Sequence, residues 1–193
     1  MNKTVLTVIF TTSVLFAGSS AEQADVTVQD QKTIEQAALD SGIETANIIF
    51  TDKTNNKDAF SIYEKINGYG VIQYVNEDKG WQYRGASGFE HSASGPTDPI
   101  SFGASTWLRG EYSQNGDNTY RTVFIGEIFQ PEIKKIILEV NNGKYNAEII
   151  TSNSRKYWYH QSDVENAQSL ATKISAYSSQ GKLVYENYLS LEE

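Results

Sequence analysis

Apolar residues recur at two spacings along this chain, and the spacing changes near residue 47. Before it, Ile34, Ala37 and Ala38, with Val28 behind them, fall on one side of a 3.6-residue repeat. Thr27, with Asp30 three positions on, forms a capping-box pattern, and Gly42 stands where a left-handed C-cap belongs. A helix is expected between them. Its apolar stripe is narrow, so it needs a sheet to lie on. From residue 47 the period drops to two. Asn47–Asp52, Ala59–Ile66, Tyr69–Asn76 and Trp81–Ala86 read as strands, broken by Thr54-Asn55-Asn56-Lys57, Asn67-Gly68 and Glu77-Asp78-Lys79-Gly80. Asn-Gly is a strong hairpin signal because both central residues of a type I′ turn take positive φ. In the second run Phe60, Ile62 and Ile66 share a face that Glu64 interrupts. Residues 22–87 therefore predict a helix on a four-stranded antiparallel meander.

Residues 88–103 (GFEHSASGPTDPISFG) break this alternation with Pro96 and Pro99 among Gly88, Gly95 and Gly103. A stretch this long reads as an interdomain linker or a functional loop. The linker is favoured because the texture changes on its far side. Residues 104–193 are almost wholly strand and turn. Candidate strands are Ser105–Tyr112, Thr119–Phe129, Ile133–Asn141, Lys144–Thr151, Lys156–Gln161, Thr172–Tyr177 and Lys182–Leu189. Turns are expected at Asn115-Gly116, Asn142-Gly143, Asn153-Ser154 and Ser179-Gln180-Gly181. That rhythm predicts an Ig-like β-sandwich. Ile136, Leu138 and Val140 share one face, and Ile137 and Glu139 the other. Ser162–Leu170 reads as one or two helical turns capped by Ser162. The fold class expected is thus mostly β: an N-terminal α+β unit followed by a C-terminal sandwich.

The first 21 residues follow a different pattern. Lys3 precedes an apolar run from Val5 to Phe16, and Ser19-Ser20-Ala21 supplies small residues before Glu22. This is the pattern of a signal peptide cleaved after Ala21. The run of about 12 residues is short of the ~20 that span a bilayer. The expected product is a secreted or cell-envelope protein of about 172 residues with no membrane span, net −9 from 15 basic and 24 acidic side chains.

Composition narrows the chemistry. The 193 residues include no cysteine, which removes disulfides, thiol nucleophiles, Cys-ligated metals and lipid attachment through cysteine. Net charge of −8 over the whole chain argues against nucleic acid as a partner, since phosphate binding needs a concentrated basic face. An exported chain with neither cysteine nor a mature N-x-Ser/Thr sequon suits a bacterial envelope.

Two stretches carry a resemblance. Phe60–Phe89 holds Tyr63-Glu64-Lys65, Asn67-Gly68-Tyr69-Gly70-Val71, Gly80-Trp81 and Gly85-Ala86-Ser87-Gly88-Phe89. Gly126–Leu189 holds Gly126-Glu127-Ile128, Pro131, Ile133, Asn142-Gly143-Lys144, Tyr157-Trp158, Ile174-Ser175-Ala176-Tyr177 and Gly181-Lys182-Leu183-Val184-Tyr185-Glu186. Together, over about two-thirds of the chain, they resemble uncharacterised small exported proteins of Bacillus-type Gram-positive bacteria, which pair an α+β meander with a β-sandwich. The resemblance implies a Gram-positive envelope context. It implies no activity and no site residues.

Catalytic signatures are sparse. There is no G-x-S-x-G elbow and no H-E-x-x-H. His91 lies in the 88–103 segment with Glu90, Asp98, Ser92, Ser94 and Ser101 nearby in sequence, and it reads as a solvated loop histidine. His160 reads as a surface strand end. Asp52–Asp58 and Asn115–Asn118 gather oxygens as calcium loops do, but Asn and Asp are also what turns require, and neither keeps EF-hand order. No metal or cofactor is expected.

The aromatic surplus is more informative: 12 Tyr, 8 Phe and 3 Trp. Alternation places Trp158 on one face of its strand, as a core anchor, and Tyr157 and Tyr159 on the other. Trp81 and Tyr83 share a face, with Ile72 and Tyr74 across the hairpin. The two pairs, Trp81 with Tyr83 and Tyr157 with Tyr159, are the candidate binding residues, as exposed platforms for sugar stacking or protein contact, unless they serve as core packing. The function expected is a non-enzymatic exported module recognising a protein or envelope component. The alternatives are a small hydrolase or wall-modifying enzyme with a site at the domain interface, drawing on His91, Glu90 and Asp98, or a secreted inhibitor of another enzyme.

Overall fold

A computed structural model describes residues 31–53, 56–92, 95–109, 114, 118–165 and 169–189. The expected signal peptide, Thr27, Val28, Asp30 and the Asn115-Gly116 turn lie outside these residues. The elements, in chain order, are α1 (Ile34–Leu39), β1 (Ile48–Asp52), β2 (Asp58–Lys65), β3 (Gly68–Glu77), β4 (Gly80–Glu90), β5 (Gly103–Arg109), β6 (Thr119–Ile128), β7 (Ile133–Val140), β8 (Gly143–Asn146), β9 (Glu148–Ser152), β10 (Arg155–Glu165), β11 (Ala171–Ser178) and β12 (Leu183–Tyr188). The chain is mostly β, and among the described residues the strands pair antiparallel.

The helix begins later than its sequence pattern suggests. Thr33 is extended (φ −80°, ψ 167°), so no helix runs through it. Its hydroxyl accepts from the Gln36 N–H, and the Gln36 side chain accepts from the Thr33 N–H at 2.8 Å. The capping box of α1 is Thr33 with Gln36. Ile34, Ala37 and Ala38 are buried as their spacing requires, and Gly42 takes φ +71°.

Sheet A has the order β1-β2-β3-β4, the expected meander. Its β2–β3 turn is centred one residue early. Lys65 pairs with Gly68, leaving Ile66 and Asn67 at the tip, where Ile66 is 98% exposed and off the face of Phe60 and Ile62. Gly68 serves close approach instead: a Cβ there would meet the Phe89 carbonyl oxygen at 2.1 Å. Among the described residues, two-residue turns with positive φ at both positions fall at Asn141-Asn142 and Asn153-Ser154.

The C-terminal strands form sheet B, β5-β6-β10-β9, and sheet C, β12-β11-β7-β8. Lettering β5 to β12 as A, B, C, C′, D, E, F and G gives A-B-E-D facing G-F-C-C′, the strand order of an Ig-like sandwich. The expected strand Lys144–Thr151 is two strands, because the chain crosses from sheet C to sheet B at Ala147, whose N–H reaches the Ile136 carbonyl at 3.0 Å. The expected helical turn after Ser162 is instead a continuation of β10, with Ser162 to Glu165 paired to Thr122 back to Thr119.

The sheets stack. Sheets B and C enclose Phe124, Ile133, Ile136, Leu138, Trp158 and Ile174. Sheets A and B enclose a second apolar layer of Phe60, Ile62, Tyr69, Val71, Val123, Ile125, Tyr157 and Tyr159. Helix α1 covers the far face of sheet A over Ala59, Tyr63, Ile72 and Tyr74. Sheet B is thus apolar on both faces. The 88–103 segment starts as strand, since β4 runs to Glu90, and the His91 N–H bonds the Asn67 carbonyl at 2.8 Å. At its far end Ile100 is buried and bridges Ile128. Among the described residues no helix is long and apolar enough to cross a membrane.

Candidate functional site

The layer between sheets A and B brings together buried tyrosines and two groups of paired charged side chains. Its middle is apolar, and it takes the tyrosines expected on the surface. Tyr157 is fully buried and Tyr159 is 4% exposed. The exposed-pair expectation fails for them because sheet A covers this face. Tyr159 packs against Phe50 at a ring separation of 4.9 Å, and Tyr157 meets Tyr69 edge-on at 6.0 Å. Burial pushes both phenols up in pKa. Tyr159 donates its hydroxyl hydrogen to Glu148 Oε2 at 2.7 Å. Trp158 faces the other way, into the sandwich core, as alternation predicts, and donates to the Ser101 carbonyl at 3.2 Å. Trp81 and Tyr83 lie half-buried with Ile72 and Tyr74 beside α1, on the opposite face of sheet A. The four candidate binding residues therefore do not meet.

Each end of the layer is closed by charged side chains. At one end Asp58 of β2 is 3% exposed and faces sheet B. Arg109 of β5 grips it with two hydrogen bonds, Nε to Oδ2 at 2.8 Å and Nη2 to Oδ1 at 3.1 Å. Arg121 of β6, 1% exposed, lies behind, with Nη1 3.1 Å from Asp58 Oδ2. Asp163 of β10 completes the group, accepting from Arg121 Nε at 2.8 Å and from Arg109 Nη1 at 2.9 Å. Burial lowers the Arg109 pKa, but the two carboxylates outweigh it and the guanidinium is held charged. Asp58 belongs to one of the oxygen-rich runs, and with two arginines on its carboxylate it is not a calcium ligand. In front of this group opens a cleft of about 390 Å³ walled by Lys57, Asp58, Asn76, Glu77, Arg84 and Arg109.

At the other end stands His91. Its side chain is 16% exposed, and its Nε2 lies 2.8 Å from Glu127 Oε2. The solvated-loop reading is corrected: His91 is seated on a carboxylate 36 residues away on β6. Arg155 holds the same carboxylate, Nε to Oε1 at 2.8 Å, and reaches across to the carbonyls of Lys65 and Gly68 in sheet A at 2.9 and 3.1 Å. Burial raises the Glu127 pKa, but hydrogen bonds from Arg155 and His91 outweigh it and keep the carboxyl below its ordinary range. The Ser101 hydroxyl accepts from the Glu127 N–H at 2.8 Å and donates to Tyr69 Oη at 2.9 Å. Burial pushes the Tyr69 phenol up to about 12. Glu90, His91, Asp98 and Ser101 line one shallow cavity of about 170 Å³. Glu90 itself turns toward Lys65, at 3.4 Å.

His160 is not at a strand end. It lies within β10, stacked on Tyr145 at 4.8 Å, and burial lowers its pKa. Among the described residues, no three His, Asp or Glu side chains converge as metal ligands.

The charged network at Asp58 was not among the sequence candidates, yet it left a signal. Asp58 has the parity of Phe60 and Ile62, Arg121 that of Val123 and Ile125, and Asp163 that of Tyr157 and Tyr159. A charge one strand step beyond inward apolar positions must find a buried counter-charge.

No protein-family model matches the chain, no curated protein matches it, and no solved structure matches it.

Proposed function

We propose that the protein is an exported, non-enzymatic binding module that recognises a protein or cell-envelope component through the cleft beside Asp58. The observation that carries this reading is the cleft itself. Its volume of about 390 Å³ falls in the ~300–1,000 Å³ range of small-ligand sites. Its walls come from both sheets, and Asp58 and Arg109 are fixed there by ion pairs before any ligand arrives. Lysine, arginine, asparagine and carboxylate side chains in such a cleft orient polar groups. Export rests on the N-terminal sequence pattern, and the family resemblance favours a Gram-positive envelope.

The test is affinity capture from an envelope extract with wild-type protein and with Asn76→Trp, which fills the cleft. Retention of one component by the wild type and its loss from the variant is the expected result. Equal retention by both places recognition elsewhere, and no retention by either removes the binding-module reading.

A second reading, a small hydrolase, draws support from His91, Glu90 and Asp98 lining one cavity and from the His91–Glu127 pair, since a carboxylate on imidazole orients a general base. Ser101 is a poor nucleophile there, with its hydroxyl hydrogen committed to Tyr69. Turnover of chromogenic ester, peptide or glycoside substrates by wild type but not by His91→Gln would favour it.

A further inference from the structure

We infer that a saccharide ring binds in the cavity of about 270 Å³ walled by Asp52, Asn146, Glu148, Tyr159, His160 and Gln161. This cavity shares no lining residue with the cleft beside Asp58, and the inference goes beyond the recognition proposed there.

The cavity exists because β10 outruns its neighbour. β9 starts at Glu148, opposite Tyr159, while β10 continues to Glu165 with β6 beside it. From His160 onward no strand lies against the outer edge of β10 among the described residues. Asp52, the last residue of β1, closes the gap from sheet A, and Asn146, the last of β8, closes it from sheet C. The cavity therefore stands where the three sheets meet.

Two of its groups are set before a ligand arrives. Tyr159 donates its hydroxyl hydrogen to Glu148 Oε2 at 2.7 Å, which holds the carboxylate and leaves Oε1 without a partner among the described residues. The His160 ring stacks on Tyr145 at 4.8 Å and 24°, and on Phe124 at 6.5 Å and 8°, which fixes its plane. Neither of its nitrogens has a hydrogen-bond partner among the described residues. Burial lowers its pKa from 6.5, so at neutral pH the ring is uncharged and offers one donor and one acceptor.

A saccharide matches this set. Glu148 only accepts, the neutral imidazole does each once, and the Asn146 and Gln161 amides do both. A hydroxyl group also donates and accepts, so neighbouring hydroxyls on one ring meet all of them. A carboxylate or phosphate would face Glu148 with like charge. An ammonium only donates, and would leave the amide and imidazole N–H groups unanswered. Tyr145, 45% exposed and lying against His160, adds an apolar ring face beside the polar wall, as a sugar's C–H face requires. The volume lies just under the ~300 Å³ at which small-ligand sites begin, which suits a single ring.

The experiment is an NMR titration of isotopically labelled protein with three neutral disaccharides, chitobiose, cellobiose and maltose, and with putrescine as a cationic probe. The chain has two histidines, so His91 serves as an internal reference for His160. At least one disaccharide is expected to shift the His160 ring signals saturably while those of His91 stay in place. Glu148→Gln is expected to weaken that disaccharide about tenfold, the loss of one charge-assisted contact. Asn146→Ala, a change at an exposed position, should weaken it about fivefold. No shift at His160 with any of the three sugars overturns the inference. So do equal shifts at both histidines, undiminished binding by either variant, and tighter binding of putrescine than of every sugar.

Discussion

Asp58 and Arg109 clasp one another across two sheets, and Arg121 reaches the same carboxylate from the interior. Asp58 stands 51 residues from Arg109 in sequence, and their meeting ties sheet A to sheet B. Asp58→Asn would take from the fully buried Arg121 one of the two carboxylates it pairs with. Breaking a buried pair this way costs about 3–5 kcal/mol. Urea denaturation at neutral pH measures it. Arg109→Ala should cost less, because Arg109 is partly solvated. A cost below about 1 kcal/mol for Asp58→Asn, the level of a surface pair, would mean that the network does not hold the sheets together.

Acid should loosen the other end. The folded Glu127 pKa lies below its ordinary 4.5. Its contribution to stability is therefore full above 4.5 and is lost as pH falls through the lower folded value. Denaturation midpoints recorded from neutral pH downward should show this drop, and Glu127→Gln should flatten that part of the profile. An unchanged slope in the variant would assign the acid sensitivity to other carboxylates.

His160 predicts a separate pH effect at milder acidity. Burial lowers its pKa from 6.5, so the unfolded chain takes up a proton first. Stability falls as pH drops below 6.5 toward the folded value and rises in the opposite direction. Imidazole NMR titration should give a midpoint below 6.5, and Tyr145→Ala, which uncovers the ring, should move it up. A wild-type midpoint at or above 6.5 would contradict the stacked arrangement.

Gly126 is the tightest point of the sandwich core. A Cβ there would stand 1.9 Å from the Ser101 carbonyl oxygen and 2.4 Å from Trp158 Nε1. Gly126→Ala should cost about 1–3 kcal/mol through overpacking. It should also break the Trp158–Ser101 hydrogen bond, read as a shift in tryptophan emission. Gly85→Ala is the control, since its nearest neighbour lies at 3.6 Å.

Much of the fold was legible from local pattern. Alternation through Tyr157-Trp158-Tyr159 placed Trp158 in the core, and the turn residues placed the meander and nearly every sandwich strand. What it did not say was what faces the tyrosines. The clue lay in β2, where Ala59 and Ser61 are buried as fully as Phe60 and Ile62. A strand buried on both faces is an inner layer. The charged sites were harder. Asp58 and Arg109 stand 51 residues apart, and His91 and Glu127 36 apart. No local period links such partners; only the docking of two sheets does. The hairpin tip at Ile66-Asn67 was misplaced by one residue because Gly68 is demanded by the Phe89 backbone and not by the turn.

Sheet B is a wall shared by two rooms. A fragment beginning near residue 104 would carry the complete Ig-like strand set yet expose Val123, Ile125, Tyr157 and Tyr159 to water on its bare side. It would also leave Arg121 without Asp58. The meander alone would bare Phe60, Ile62 and Val71. Cutting the chain at its Gly- and Pro-rich middle therefore does not yield two independent proteins, and either half made alone is a candidate for self-association through that uncovered face.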